Sequence, residues 1–541
     1  MTDASGLAQE YLRVHAEFRP VDATFMGLRG HDHQLPPAGA DSVEAELDAI
    51  VGLRDRLGAA AAPMSSGARL DARLLGAQLT VTEAELRRAP RQHNPAWATG
   101  EAAFSVISLL LPGGPGDPAE ARDALRVRLE ALPGFLAQAR SHLHGRAAPR
   151  DWTERARREA RAAATLLEDG LPRHPLWQDA LHHPAARAAR ALRAHAEDLA
   201  GLPPTDDVAC GEAHLELLMR EGHGLPFGPR EALERATLAF DRLTGELERD
   251  AARLDPDRSW PEQLAALEGD APEVDGVLDA YRTWHERALD AAGGLVTPER
   301  AYSLDFRMAP DWAAGVNDLY FLFYRSPAPL RPGHGSVYWV FPPGEDVGAY
   351  RRAHNTSAIK LIHAVHHGSI GHHTHNARAR EAASVLARVA GTDCASGIAM
   401  LGAGTSVEGW ACYAEDLLLE AEGFYTPAEA LLLKSYERRN AASCIADIKL
   451  HLGEWGLEDM RAFYRDRAHF APGRIWSETT RNSMFPATRL MYWLGTEAIK
   501  ALRAELNLPP RAFHDALLSY GHAPMAWIAD ELRAARPQET A

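Results

Sequence analysis

Cysteine is scarce in this chain. The 541 residues include four, Cys210, Cys394, Cys412 and Cys444, and none forms a C-x-x-C pair. That argues against a disulfide framework and against a thiolate zinc site, and leaves buried free thiols in a reducing compartment. Long apolar runs are missing as well. The longest candidates, such as Phe104 to Pro112, fall far short of the roughly 20 residues a membrane span requires. The opening Met1-Thr2-Asp3-Ala4-Ser5-Gly6 has no basic region followed by an apolar stretch, so no signal peptide is read there. Positive charge is in deficit. Lys and Arg number 58 against 74 Asp and Glu, a net charge of −16, which leaves no broad nucleic-acid footprint. No G-x-S-x-G elbow surrounds a serine, and Gly402-Ala403-Gly404-Thr405 lacks the Lys-Ser/Thr ending of a phosphate loop. These absences lead to the expectation of a soluble, cytoplasmic protein that engages neither nucleic acid nor membrane.

What is present is ordinary globular material, 46% hydrophobic and 24% charged, enough for a sizeable core. The first three-fifths is rich in Ala, Leu, Arg and Glu. Glu120 to Leu132 and Trp152 to Leu167 have helical spacing, with Leu125, Leu129 and Leu132 near one face. Pro and Gly are expected to break these runs at Pro112-Gly113-Gly114-Pro115, Pro133-Gly134, Pro172, Leu202-Pro203-Pro204 and Pro226 to Pro229. The breaks are short and read as turns between packed helices. Arg-rich stretches such as Arg155 to Arg161 are interspersed with Glu and Ala and read as solvated helix faces.

The texture changes between Tyr302 and Phe341, where Trp312, Tyr320, Phe321, Phe323, Tyr324, Tyr338, Trp339 and Phe341 concentrate. Ser336 to Phe341 is the best strand candidate. A helix is expected from Val347 toward His366, with helical pattern returning over Ser406–Glu422, Pro427–Leu452 and Pro486–Leu506. His334, between two glycines, reads as loop.

Six of the chain's 25 histidines stand between His363 and His375: His363, His366, His367, His372, His373 and His375. Imidazole is the commonest metal-binding side chain, and six buried rings in one segment would each need partners for two nitrogens. A solvated His-rich turn is the alternative, opposed by the apolar Ile359, Leu361, Ile362 and Val365 just upstream. His363 and His367 stand at i, i+4. Gly368 and Gly371 loosen the helix beyond them, so His366 meets either His372 or His373 and spacing does not choose. Downstream, Glu408 and Glu415 are seven apart on one helix face, with Ala411 and Cys412 between them, which supplies a carboxylate ligand. Asp447 and His451, at i, i+4, form a candidate supporting pair. Tyr492 and Arg481 are candidates for holding an oxyanion or a substrate carboxylate.

His366-His367-Gly368-Ser369-Ile370-Gly371-His372-His373, followed by Glu408-Gly409-Trp410-Ala411-x-Tyr413-Ala414-Glu415, resembles the family named "domain of unknown function 885". Its pattern is H-E-x-x-P-G-H-H and then E-G-W-A-x-Y-A-E, and its members look like distant relatives of helical zinc peptidases. The resemblance continues in Asp447-x-x-Leu450-His451-x-x-x-Trp455, in Arg481 to Gly495 with Pro486 and Tyr492, and in Pro20 to Gly27. It implies a mostly α, large single helical domain over residues 1–541, with a helical part to about 300, a metal-site part beyond, and a deep cleft lined by the strand at 336–341. It also implies that His366, His372 and Glu408 ligate the metal, with His373 able to replace His372.

Two positions depart from the pattern: His367 stands where the family has Glu, and Ile370 where it has Pro. In the peptidase scheme that Glu moves the proton of the attacking water. His367 serves either as a substitute base, alongside Glu415, or as an extra ligand that favours iron or manganese over zinc. The expectation is a metal-dependent enzyme, a hydrolase of a small amide, peptide-like or carboxylate-bearing metabolite. A divergent iron or manganese enzyme and a non-catalytic metal-binding scaffold are the alternatives.

Overall fold

A computed structural model describes residues 3–60, 62, 65–114, 116–315, 323–333, 335–395 and 397–535. The positions of Tyr320, Phe321 and His334 lie outside the described residues. The protein is mostly α-helical with a few short strands. Its chain packs as two compact units, each assembled from three separate stretches.

The first unit takes Met1–Val208, Ala309–Trp339 and Ala383–Met400. Its helices begin where the sequence supplies caps. Asn94 accepts the Ala96 N–H ahead of Pro95–Leu110, and Asp117 accepts the Ala119 N–H ahead of Pro118–Leu143. Pro118–Leu143 runs straight through Pro133, against the expected break. Leu125, Leu129, Leu132 and Leu136 are all buried, and this apolar stripe crosses the proline, so packing outweighs the lost hydrogen bond. Fully buried Arg128 ties this helix to its neighbours. Its guanidinium donates to the Gln34 carbonyl at 3.0 Å, the Ser105 carbonyl at 2.7 Å and Thr24 Oγ1 at 2.8 Å. Distant stretches are stitched in by Asp71, which accepts from Ser5 Oγ at 2.8 Å, Ser384 Oγ at 2.6 Å and the Leu386 N–H at 3.0 Å. The expected strand forms over Gly335–Val340 and pairs antiparallel with Tyr324–Arg325, Tyr338 opposite Tyr324.

The second unit takes Ala209–Met308, Val340–Ala382 and Leu401–Ala541, so the aromatic stretch between Tyr302 and Phe341 is divided, most of it belonging to the first unit. The helix expected from Val347 to His366 is interrupted. It ends at Ala353, and Asn355 caps a new start by accepting the Ala358 N–H at 2.9 Å. Thr356–Ala358 continues as a π-helix over Ile359–His366. Gly404–Leu417 and Pro427–His451 match the expected ranges closely, the latter opened by a Thr426–Glu429 capping box. The last expected helix starts at Leu490 rather than Pro486. Asp447 explains the delay: it accepts the N–H groups of Ala487, Arg489 and Leu490 at 3.2, 2.8 and 3.1 Å, capping the helix from outside.

Candidate metal centre

The site is built by three helices of the second unit. The first is the π-helix Ile359–His366. Its wide turn carries an i to i−5 bond, with the His367 N–H donating to the Ile362 carbonyl at 3.0 Å. The chain then doubles back through Gly368–Gly371 into His372–Ala379. Both glycines are obligatory. A Cβ on Gly368 would sit 2.6 Å from the Ala364 carbonyl oxygen, and one on Gly371 would run into the His366 carbonyl. Trp410 pins the turn from the neighbouring helix, its indole N–H donating to the Ile370 carbonyl at 2.8 Å. The π-turn and the reversal together bring His366 beside His372, with ring centroids 4.8 Å apart.

Gly404–Leu417 supplies the carboxylates. It crosses Leu490–Leu506 at a glycine pair, where a Cβ on Gly409 would lie 2.6 Å from the Gly495 backbone. That close crossing sets Glu408 within electrostatic reach of Tyr492 and Arg481.

One nitrogen each from His366 and His372 and one oxygen from Glu408 lie within 4.8 Å of one another. Glu408 Oε2 is 3.6 Å from His372 Nε2 and 4.0 Å from His366 Nε2. Ligand atoms around a tetrahedral zinc ion stand about 3.3 Å apart, given bonds of ~2.0–2.1 Å, so a small closing of this triangle fits the ion. The side chains are 12, 13 and 15% exposed for His366, His372 and Glu408, which keeps them reachable. His366 Nδ1 lies 2.6 Å from Glu415 Oε1. That is a hydrogen-bond length with no room for an ion between, so Nδ1–H donates to the carboxylate and Nε2 presents its lone pair. Burial pulls the His366 pKa down, but the Glu415 hydrogen bond and the charges of Glu415 and Glu408 outweigh it, and the net shift is upward. Cys412 is near His366 and Glu415, but burial and those carboxylates push its thiol well above the ordinary value, which keeps it protonated and a poor ligand.

His367 stands at the edge of this triangle, its ring 4.8 Å from that of His366 and 5.8 Å from that of His372. Its Nδ1–H donates to the Ile362 carbonyl at 3.0 Å, so Nε2 carries the lone pair. Burial, reinforced by the neighbouring imidazoles, holds its pKa well below the usual histidine value. His373 is turned elsewhere. Its Nε2 donates to the Tyr302 carbonyl at 2.8 Å, and its ring packs on Tyr302 and His285, so the choice left open by spacing falls to His372. His363 stacks on Tyr281 at 4.9 Å, and His375 bonds the Gly521 carbonyl at 3.2 Å. Asp447 and His451 do approach, 3.6 Å apart. However, Asp447 is committed to the backbone N–H groups at 487–490. His451 Nε2 donates to the Asn482 carbonyl at 2.9 Å, so the pair braces helices.

Arg481, Tyr492 and Arg489 all lie within electrostatic reach of Glu408. The Arg489 guanidinium lies 5.4 Å from the Tyr492 ring centroid and pairs with buried Glu478 at 2.7 Å. Arg489 repels Arg481 and, with burial, lowers the Arg481 pKa, while burial and Glu408 raise that of the Tyr492 hydroxyl. Arg489 is the member that sequence reasoning missed. It falls inside the Arg481 to Gly495 stretch that carries the family resemblance, but nothing in one sequence separates it from the other arginines.

A mostly helical protein with a two-histidine, one-carboxylate cluster braced by a second carboxylate is therefore the class in hand. The chain belongs to the family described as "Bacterial protein of unknown function (DUF885)", matched over residues 20–532. Two solved structures, each described as a "putative lipoprotein", share the fold. One, of unknown function, is from Shewanella oneidensis, with TM-score 0.77 and 18% identity over 98% of this chain and 100% of that one. The other is from Colwellia psychrerythraea, with TM-score 0.76 and 14% identity over 99% of both chains. Among curated proteins nothing matches. These neighbours correct the cytoplasmic expectation, because proteins with this fold carry that lipoprotein description. No helix among the described residues is long and apolar enough to cross a membrane.

Proposed function

We propose that this protein is a metal-dependent amide hydrolase in which His366, His372 and Glu408 hold a divalent ion. Two neutral imidazoles and one carboxylate suit zinc. The ion, when bound, supplies Lewis-acid polarisation of a carbonyl and an acidified water. The remaining work belongs to side chains. Glu415 orients His366 through Nδ1 and is thereby committed, so proton transfer falls to Nε2 of His367. Tyr492 and Arg481 stand on the Glu408 side, where a hydroxyl and a guanidinium can donate to the oxygen that gathers charge. In the reaction the water oxygen bonds to the carbonyl carbon and His367 takes the water's proton. The C–N bond then breaks with its electron pair going to nitrogen, and His367 returns the proton there. The products are a carboxylate and an amine.

The observation that carries this reading is the convergence of three ligand atoms within 4.8 Å, one of them oriented by a 2.6 Å hydrogen bond to Glu415. It is tested with zinc-loaded protein on a panel of N-acyl amino acids and dipeptides. Amine release is expected from wild type and is expected to be lost in Glu408→Ala. Absence of zinc-dependent release across the panel, or full activity in the variant, contradicts the reading.

A further inference from the structure

On the helix Pro427–His451, Tyr436, Arg439 and Asn440 stand at i, i+3 and i+4 on one face. The contact that fixes this face is Asn440 Nδ2 to Cys412 Sγ at 3.4 Å, and Cys412 is the near neighbour of Glu415. Arg439 lies over Tyr436, its guanidinium carbon 4.0 Å from the ring centroid. Both are partly buried.

Most of the surrounding cations have carboxylate or carbonyl partners; Arg481, on the Glu408 side, has none among the described residues. Arg438 donates to the Arg467 carbonyl at 2.6 Å, Arg474 and Arg489 hold Glu478 at 3.1 and 2.7 Å, and Lys500 pairs with Asp416 at 3.0 Å. Arg439 has no ion-pair partner among the described residues. Glu415, the carboxylate that acts on it, is already bonded to His366. Arg474 lies close enough to repel it, and burial with that repulsion lowers its pKa. A guanidinium held in place by an aromatic ring, desolvated and lacking a carboxylate, is prepared for an anion that arrives with the ligand.

We propose that Arg439 is the specificity-determining residue of this site: it receives a carboxylate carried by the substrate, on the Glu415 side of the centre. This rests on the hydrolase reading and narrows it to anionic amides, such as N-acyl amino acids and peptides with a free carboxylate. The planar fork of donors on a guanidinium matches a carboxylate in two parallel hydrogen bonds.

The test is calorimetric and needs no turnover. Zinc-loaded full-length protein is titrated with N-acetyl-alanyl-alanine and with its C-terminal amide. Wild type is expected to bind the acid at least about tenfold tighter, the scale of one lost charge-assisted hydrogen bond. Arg439→Gln is expected to equalise the two while melting at the wild-type temperature, and Arg439→Lys to keep part of the preference. Where the acid is turned over, Arg439→Gln raises KM and spares kcat. Equal binding of acid and amide by wild type, no binding of either, or a preference that survives Arg439→Gln overturns the proposal. Inorganic phosphate bound more tightly than the acid also overturns it, in favour of a phosphate-bearing ligand. A preference for the acid without hydrolysis contradicts the hydrolase reading alone; hydrolysis of acid and amide alike contradicts the role of Arg439 alone.

Discussion

At the scale of single residues, His367 is the position on which the chemistry turns. It lies beside both histidine ligands of the proposed centre, with its lone pair on Nε2. A carboxylate there would bring a stronger electrostatic pull on the water proton and would accept it without becoming cationic beside the ion. His367→Glu is therefore expected to raise kcat on neutral dipeptides by about 10²-fold, within the range for a positioned general base. Steady-state assays of the zinc-loaded variant check this, and an unchanged or lower kcat counts against the assignment. Glu408 and Glu415 were legible in the sequence, because seven residues is two helical turns and small residues stand between them. The eclipse of His373 by His372 was not, because it depends on the Tyr302 carbonyl, which is distant in the chain.

At the scale of elements, the π-turn explains why histidine spacing alone was a poor guide. An α-helix would align His363 with His367, whereas the i to i−5 bond and the Gly368–Gly371 reversal set His366 against His372. The element is held from below by Lys360, whose ammonium is buried against Glu429 at 2.7 Å. Trp284, Phe424 and Tyr425 ring it at 4.4, 4.9 and 5.1 Å. Lys360→Met strands the Glu429 carboxylate and is expected to cost about 3–5 kcal/mol, read as a lower denaturation midpoint in urea. A midpoint within error of wild type would remove Lys360 from the scaffold of the site. The helices themselves were largely legible, from apolar spacing such as the leucine stripe at 125, 129 and 132. The exceptions were set by long-range contacts, Asp447 delaying Leu490–Leu506 and core packing carrying a helix through Pro133.

At the scale of the whole molecule, two units draw on interleaved stretches of chain, a division invisible to local sequence pattern. The first unit has a buried titratable group of its own, Glu101. Burial, then the nearby charge of Asp22, pushes the Glu101 carboxyl up to about 8. The folded state thus keeps a proton that the unfolded chain sheds near the ordinary carboxylate value. The stability from Glu101 is full below that value and is lost as pH rises through about 8. Between about pH 6 and about pH 9 the denaturation midpoint of wild type is expected to fall, and that of Glu101→Gln, which stays neutral, to fall less. Parallel profiles would show that Glu101 titrates normally.

The proposed chemistry depends on a bound ion. Elemental analysis of untagged protein, wild type beside Glu408→Ala, tests it most directly. About one equivalent of zinc in wild type, lost in the variant, is the predicted result. Iron or manganese lost in the variant would keep the ligands and make His367 a further one. No stoichiometric metal in wild type after loading, or equal metal in both proteins, would contradict the central claim.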